Sequence, residues 1–146
     1  MNGQQIADLS SKKMWEGDKA AQSLGMKLVS SSPGQAVMTM EITESMSNGH
    51  DIAHGGFIFA LADTAFAYAS NSYGDVHVGQ ICDIVYIRPS HKGDILTAQA
   101  KEVSKTGRTG IYDVNVSTQG KTIAEFRGVS REVSKNFIGI TVDNQS

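Results

Sequence analysis

Hydrophobic and polar positions along this chain change period more than once. From Gln4 to Leu24 the apolar residues Ile6, Leu9, Met14, Ala20, Ala21 and Leu24 recur at loose helical spacing, and Gly25 is a natural stop. The runs Met26-Lys27-Leu28-Val29 and Ala36 to Ile42 flank Ser31-Ser32-Pro33-Gly34, a turn signature that predicts a hairpin. A polar, irregular loop follows from Thr43 to Ala53. From about Gly55 to Ser70 the chain is apolar on almost every face of a predicted helix, which Asn71-Ser72-Tyr73-Gly74-Asp75 ends. The pattern then shortens to strands: Val76 to Ile87, Ile95 to Val103, Thr109 to Thr118 and Thr122 to Val133. Turn residues separate them at Pro89 to Gly93, Lys105-Thr106-Gly107 and Gln119-Gly120, and such spacing predicts an antiparallel meander. Ser134 to Ser146 carries little pattern and is expected to fray.

A helix that is apolar all round has to be covered on all sides. One antiparallel sheet curling around it does so, which gives an α+β fold of the hotdog type, a sheet wrapped around a central buried helix with a further helix at the N-terminus. Residues 1–146 are expected to form a single domain with its core from about 24 to 133.

Composition narrows the function classes. The chain is 40% hydrophobic and 19% charged with a net charge of −2, ordinary for a globular protein and unlike a disordered one. No basic block, zinc-ligand spacing or helix-turn-helix signal occurs, so nucleic acid is not an expected partner and no metal is expected. The longest apolar stretch, Phe57 to Ala69, contains Asp63 and is too short to span a bilayer, so no membrane partner is expected. The start of the chain lacks a charged segment followed by an apolar one, and the expected location is the cytoplasm. Cys82, the only cysteine, lies in the apolar run Ile81-Cys82-Asp83-Ile84-Val85 and reads as a buried structural thiol.

The candidate chemistry is in the apolar helix. Between Phe57 and Ala69 every residue but Asp63 and Thr64 is apolar. A carboxylate buried there without a partner would cost several kcal/mol or stay protonated, and no cation lies three or four residues away on the helix. Small Ala60 and Ala67 occupy those positions and leave room for a ligand. The competing reading is an Asp that caps a loop or pairs with an Arg from a strand. At the start of the helix, His54-Gly55-Gly56 puts two glycines where backbone N–H groups lack intrahelical partners and the dipole favours negative charge. That is either an oxyanion hole for acyl transfer or a turn that simply needs glycine. His54 serves equally to orient the loop or to contact substrate.

Distance links the two features. Asp63 is eight residues beyond Gly55, about 12 Å along the axis at a rise of about 1.5 Å per residue. Leaning toward the N-terminus recovers only about 2–3 Å for an Asp side chain, whereas a base or nucleophile has to come within about 3 Å of its target. One helix cannot present both groups to one carbonyl. If both serve one reaction, the Asp comes from a second copy of the chain, through a symmetric interface with two equivalent sites.

Asn48-Gly49-His50, His54-Gly55-Gly56, Leu61 to Ala69 and Asn71-Ser72 closely resemble the phenylacetate-degradation (PaaI-type) thioesterases of the hotdog superfamily. Tyr86-Ile87-Arg88-Pro89, Gly93-Asp94 and Gly107 to Asp113 are also similar to that family, and the likeness runs from roughly Leu9 to Arg131. The resemblance implies hydrolysis of an acyl-CoA thioester, with preference for phenylacetyl-CoA and its ring-hydroxylated forms. It implies that the Gly55 N–H polarises the carbonyl and that Asp63 of the partner subunit is general base or nucleophile. Asn48 would help hold the water or the thioester, and His54 would shape the same wall. Gly56 and Thr64 are the further expected substrate contacts. No cofactor is implied beyond the coenzyme A of the substrate. A homodimer would be the smallest active unit, and a homotetramer is the common assembly of the family. Among basic residues near turns, Arg88, Lys105, Arg108 and Lys121 are candidates for the coenzyme A phosphates, although charged turn residues commonly just face water.

Two other functions fit such a fold. A hotdog hydratase or dehydratase would pair a His with an acid, but the nearest local pair, Asp51 and His54, lacks the spacing those enzymes show. A non-catalytic acyl-CoA sensor would normally carry an output domain.

Overall fold

Alternation along four strands explains how one sheet can hold the apolar helix. In the computed structural model, which describes residues 1–135, β2 (Gln35–Glu41), β4 (Ile95–Thr106), β5 (Thr109–Thr118) and β6 (Lys121–Ser134) each bury every second side chain over much of their length. The register puts those side chains in rows: Met38 faces Ala98, Ala98 faces Val116, and Val116 faces Ala124. The next row runs Ala36, Ala100, Val114, Phe126. Alanines in the middle of these rows make a trough. The central helix α3 (Gly55–Ser70) lies in it, with Ile58, Leu61, Ala62, Ala65, Phe66 and Ala69 buried against the strands. That spacing is one helical face.

The sheet is antiparallel with the order β1-β2-β4-β5-β6-β3, where β1 is Lys27–Ser32 and β3 is Val76–Tyr86. The hairpin expected around Pro33-Gly34 is present, with Gly34 at φ +74°. The expected four-strand meander is correct only for β4, β5 and β6. After α3 the chain goes to the far edge, where β3 pairs with β6, and then crosses back so that β4 joins β2. The crossing segment is tied to the loop ahead of α3: the Ala53 N–H donates to the Ser90 carbonyl (2.9 Å) and the Gly93 N–H to the Ile42 carbonyl (2.8 Å). Turn spacing alone does not distinguish such a crossover from a hairpin.

The N-terminal helix also differs from expectation. It is two helices, α1 (Gly3–Gly17) and α2 (Lys19–Ser23), broken at Asp18. The Asp18 carboxylate accepts the Ala21 N–H (3.2 Å) and so restarts the chain as an N-cap, and it also accepts the Tyr68 hydroxyl (3.3 Å). A capping side chain after a glycine outweighs the continuing apolar spacing. Most of the tail expected to fray, 136–146, lies outside the described residues. Among the described residues no helix is long and apolar enough to cross a membrane.

The central helix is not covered on all sides by its own sheet. Ala60, Asp63, Thr64 and Ala67, a stripe on the face away from Leu61 and Ala65, are only half-buried. Among the described residues β3 pairs with one strand, and its outer face exposes Val78, Ile81 and Val85 at 47%, 62% and 62%, while Tyr86, 49% accessible, turns toward the start of α3.

Candidate active site

The loop that feeds α3 is held by its own backbone. Ser47 and Ala53 form a bridge, the His54 N–H donates to the Met46 carbonyl (2.9 Å), and Asp51 takes a left-handed φ of 60° to close the turn. The Asn48 side-chain oxygen accepts the N–H groups of His50 (2.8 Å) and Ile52 (3.2 Å). With that oxygen occupied by its own loop, the amide donors are what Asn48 has to offer a ligand.

His54 is the N-cap of α3, with extended backbone and no capping side-chain bond. The Phe57 N–H closes on the His54 carbonyl at 3.1 Å, and the two N–H groups ahead of it, those of Gly55 and Gly56, have no intrahelical acceptor. Neither glycine has a positive φ, so backbone conformation does not demand glycine at either place. At Gly55 a neighbour does. A Cβ there would lie 2.8 Å from Tyr86 Cζ, and the Tyr86 hydroxyl donates to the Gly55 carbonyl at 2.9 Å. At Gly56 an added Cβ would meet nothing within 4 Å. The protomer itself leaves that side of the helix start open.

Asp63 is two turns further along. No ion pair to it exists among the described residues, which removes the reading of a carboxylate paired with a strand arginine. Its one hydrogen-bond partner among the described residues is the Cys82 thiol, with Sγ 3.9 Å from Oδ1. Burial pushes the Asp63 carboxyl above the ordinary aspartate range, and the thiol's weak donation opposes this only partly. Burial also raises the Cys82 thiol, and the Asp63 charge beside it adds to that. Cys82 is therefore corrected from buried to half-buried. Its strand is an edge, and the run around it packs on one side only. Thr64 spends its hydroxyl proton inside the helix, on the Ala60 carbonyl at 2.6 Å, and retains only acceptor capacity for a ligand.

If Asp63 works as an ionised base or nucleophile, the acid limb of kcat/KM falls at a higher pH than an ordinary aspartate gives. A pH-rate profile checks this, with Cys82→Ala moving the limb further upward because the thiol's stabilising contact is gone.

The basic candidates separate into two groups. Arg88, two residues past the end of β3, shares a shallow pocket with Ile52, Ala53, Gly55, Ile58 and Tyr86. It also borders a groove with His91 and Lys121. Lys105, at the end of β4, and Arg108, in the β4–β5 turn, lie near the other end of α3. There the Lys105 Nζ sits 3.7 Å from the centre of the Tyr73 ring, which follows the helix C-terminus. Within one protomer, Asn48, His54, Gly55, Gly56 and Arg88 are brought to one end, Asp63 is midway, and Lys105 and Arg108 are at the far end. Tyr86 is a member of this site to which the sequence pattern assigned no role. Its place at the end of a strand gave no sign that it would fold over a glycine some thirty residues earlier in the chain. Among the described residues no three His, Cys, Asp or Glu side chains converge to hold a metal ion.

Comparison with known proteins gives the family. The Thioesterase superfamily model matches residues 50–125. The acyl-coenzyme A thioesterase PaaI of Escherichia coli (strain K12) is 46% identical over 127 residues, 86% of this chain and 91% of that protein. The solved structure of the E. coli PaaI protein from the phenylacetic acid degradation operon superposes with a TM-score of 0.90 over 92% of this chain and 99% of that one, at 42% identity. A mutant of the phenylacetic acid degradation protein PaaI from Thermus thermophilus gives a TM-score of 0.77 at 40% identity, covering 80% of this chain and all (100%) of that one. A Streptococcus mutans protein solved bound to acetyl-CoA gives 0.73 at 28% identity, covering 76% and 90%. The chain belongs to the thioesterase superfamily, the hotdog-fold hydrolases of thioester bonds. Within it, the chain is of the PaaI type.

Proposed function

We propose that the chain hydrolyses (hydroxy)phenylacetyl-CoA or a similar aryl- or acyl-CoA thioester to the free acid and coenzyme A, in a site shared between two subunits. The observation that carries this reading is Asp63: a half-buried carboxylate on the open face of the central helix, hydrogen-bonded among the described residues of its own protomer only by a thiol. The thioester carbonyl rests on the Gly55 N–H of one subunit, and Asp63 of the other subunit activates water or attacks directly. With water as the nucleophile, Asp63 takes its proton, the new C–O bond forms, and the negative charge moves onto the carbonyl oxygen at the helix start. The C–S bond then breaks and the thiolate leaves, to be protonated as coenzyme A.

Pairing of subunits is supported by the molecule's own surfaces. The Ala60-Asp63-Thr64-Ala67 stripe is half-buried on the open face of α3, where Cys82 of β3 reaches Asp63, and the opposite face of β3 exposes apolar side chains. An edge strand with exposed Val78, Ile81 and Val85 is the kind of surface that monomeric proteins avoid. The names of the PaaI relatives support the aryl-acetyl class, and the acetyl-CoA complex of the S. mutans relative supports coenzyme A as the carrier.

A kcat/KM panel over phenylacetyl-, hydroxyphenylacetyl-, benzoyl- and straight-chain acyl-CoAs tests the reading. Thiol release is expected on the whole panel, highest on the aryl-acetyl members. Release from saturated straight-chain substrates separates this from a hydratase, which has no reaction there. Tight binding with no release on any member would instead establish a sensor.

A further inference from the structure

Resting on that thioesterase reading, we propose that Tyr86 is a positioning residue for the carbonyl-binding end of α3, and that it makes the Gly56 N–H a second donor to the substrate carbonyl. Each of the two unpartnered N–H groups belongs to a peptide unit whose carbonyl oxygen is held from behind. The Gly55 N–H shares its peptide with the His54 carbonyl, which the Phe57 N–H holds at 3.1 Å. The Gly56 N–H shares its peptide with the Gly55 carbonyl, which the Tyr86 hydroxyl holds at 2.9 Å. A helical carbonyl has a second lone pair beside the one its helix uses, and Tyr86 takes it.

Donation to a peptide oxygen draws electron density through the amide and makes its N–H a stronger donor. It also stops the first peptides of the helix from rocking, at the place where a helix most easily frays. The ring adds a steric part, because it occupies the volume that a side chain at Gly55 would need. Gly56 is exposed, and a Cβ there would meet nothing within 4 Å, so the protomer does not crowd the second N–H from the side-chain side. As charge grows on that oxygen in the tetrahedral state, a polarised donor gains more than it does with the neutral substrate. The effect therefore belongs in kcat.

The test is Tyr86→Phe, which keeps the ring and removes only the donor. The expected result is a fall in kcat of about three- to tenfold, the worth of one hydrogen bond acting through a peptide, with KM within about twofold. A second readout uses a phenylacetyl-CoA analogue with a methylene in place of the thioester sulfur and ¹³C at the carbonyl. Its carbonyl stretch is expected to shift to lower frequency on binding to the wild type, and by less on binding to Tyr86→Phe. An unchanged kcat overturns the inference, as does a loss confined to KM or an equal infrared shift in both proteins. A wild type that releases no thiol on the acyl-CoA panel is a failure of the thioesterase reading. A working wild type matched by its Tyr86→Phe variant is a failure of this inference alone.

Discussion

Asp63→Asn is expected to lower kcat by about 10²- to 10⁴-fold, the range that a lost base or nucleophile commands, with KM and subunit assembly close to wild type. Asn has the size of Asp and can keep a contact with Cys82, so the apolar stripe stays filled. What it lacks is the ability to take a proton from water or to attack a carbonyl. Stability should move in the opposite direction to activity. The folded-state value of Asp63 is raised by burial, so the folded protein holds this proton to higher pH than the unfolded chain does. Its contribution to stability is therefore full below the unfolded pKa and is lost as pH rises through the folded one. At pH 7 the ionised group is a cost, and Asp63→Asn removes it. Denaturant unfolding at fixed protein concentration should show the variant more stable than wild type at pH 7, with the difference shrinking toward acid. Near-normal kcat in Asp63→Asn would remove the residue from the mechanism.

The second large effect is expected at Gly55→Ala, which should lower kcat by about 10²-fold through obstructed access to one carbonyl donor. The reason is local. Alanine is a better helix former than glycine by about 1 kcal/mol, and no positive φ opposes it here, so the helix itself accepts the change. The conflict is with Tyr86, whose Cζ and Oη would stand 2.8 Å and 3.0 Å from the new methyl. Tyr86 is half exposed, so its ring can swing aside, and the hydrogen bond to the Gly55 carbonyl goes with it. The fold survives, while the methyl narrows access to the N–H of residue 55 and the peptide behind Gly56 loses its holder. Thermal unfolding close to wild type together with a large kcat loss is the expected pair of results. Full activity would show that the helix start does not hold the carbonyl.

Much of this arrangement is legible in the sequence. The apolar run from Phe57 to Ala69 marked a central helix because no other element of a small domain needs to be apolar on so many faces. Asp63 stood out for the same reason, and the rise along a helix sufficed to separate it from Gly55. The placing of β3 was not readable. Its alternation and turn signals are those of a meander strand, and only pairing with β6 across the sheet shows that it is an edge. The same topology kept Tyr86 and Cys82 out of view as site neighbours, since both reach the helix from that edge. The break at Asp18 was hidden because the apolar spacing continues through it; its cap to Ala21 is local, but the Tyr68 hydroxyl that also holds the carboxylate comes from fifty residues away. The four basic candidates looked alike by their position near turns. Only the fold separates Arg88, at the helix start, from Lys105 beside Tyr73.

The central claim is that the acid and the carbonyl site it serves belong to different chains. Mixing subunits measures this directly: Asp63→Asn and Gly55→Ala chains, each nearly inactive alone, are unfolded together in equal amounts and refolded. In a mixed pair, Asp63 of the Gly55→Ala chain meets Gly55 of the Asp63→Asn chain, so one of the two sites is intact. Random pairing makes half the pairs mixed, and the expected recovery is about a quarter of wild-type activity. Activity no greater than the mean of the two variants measured separately would contradict a site shared between subunits.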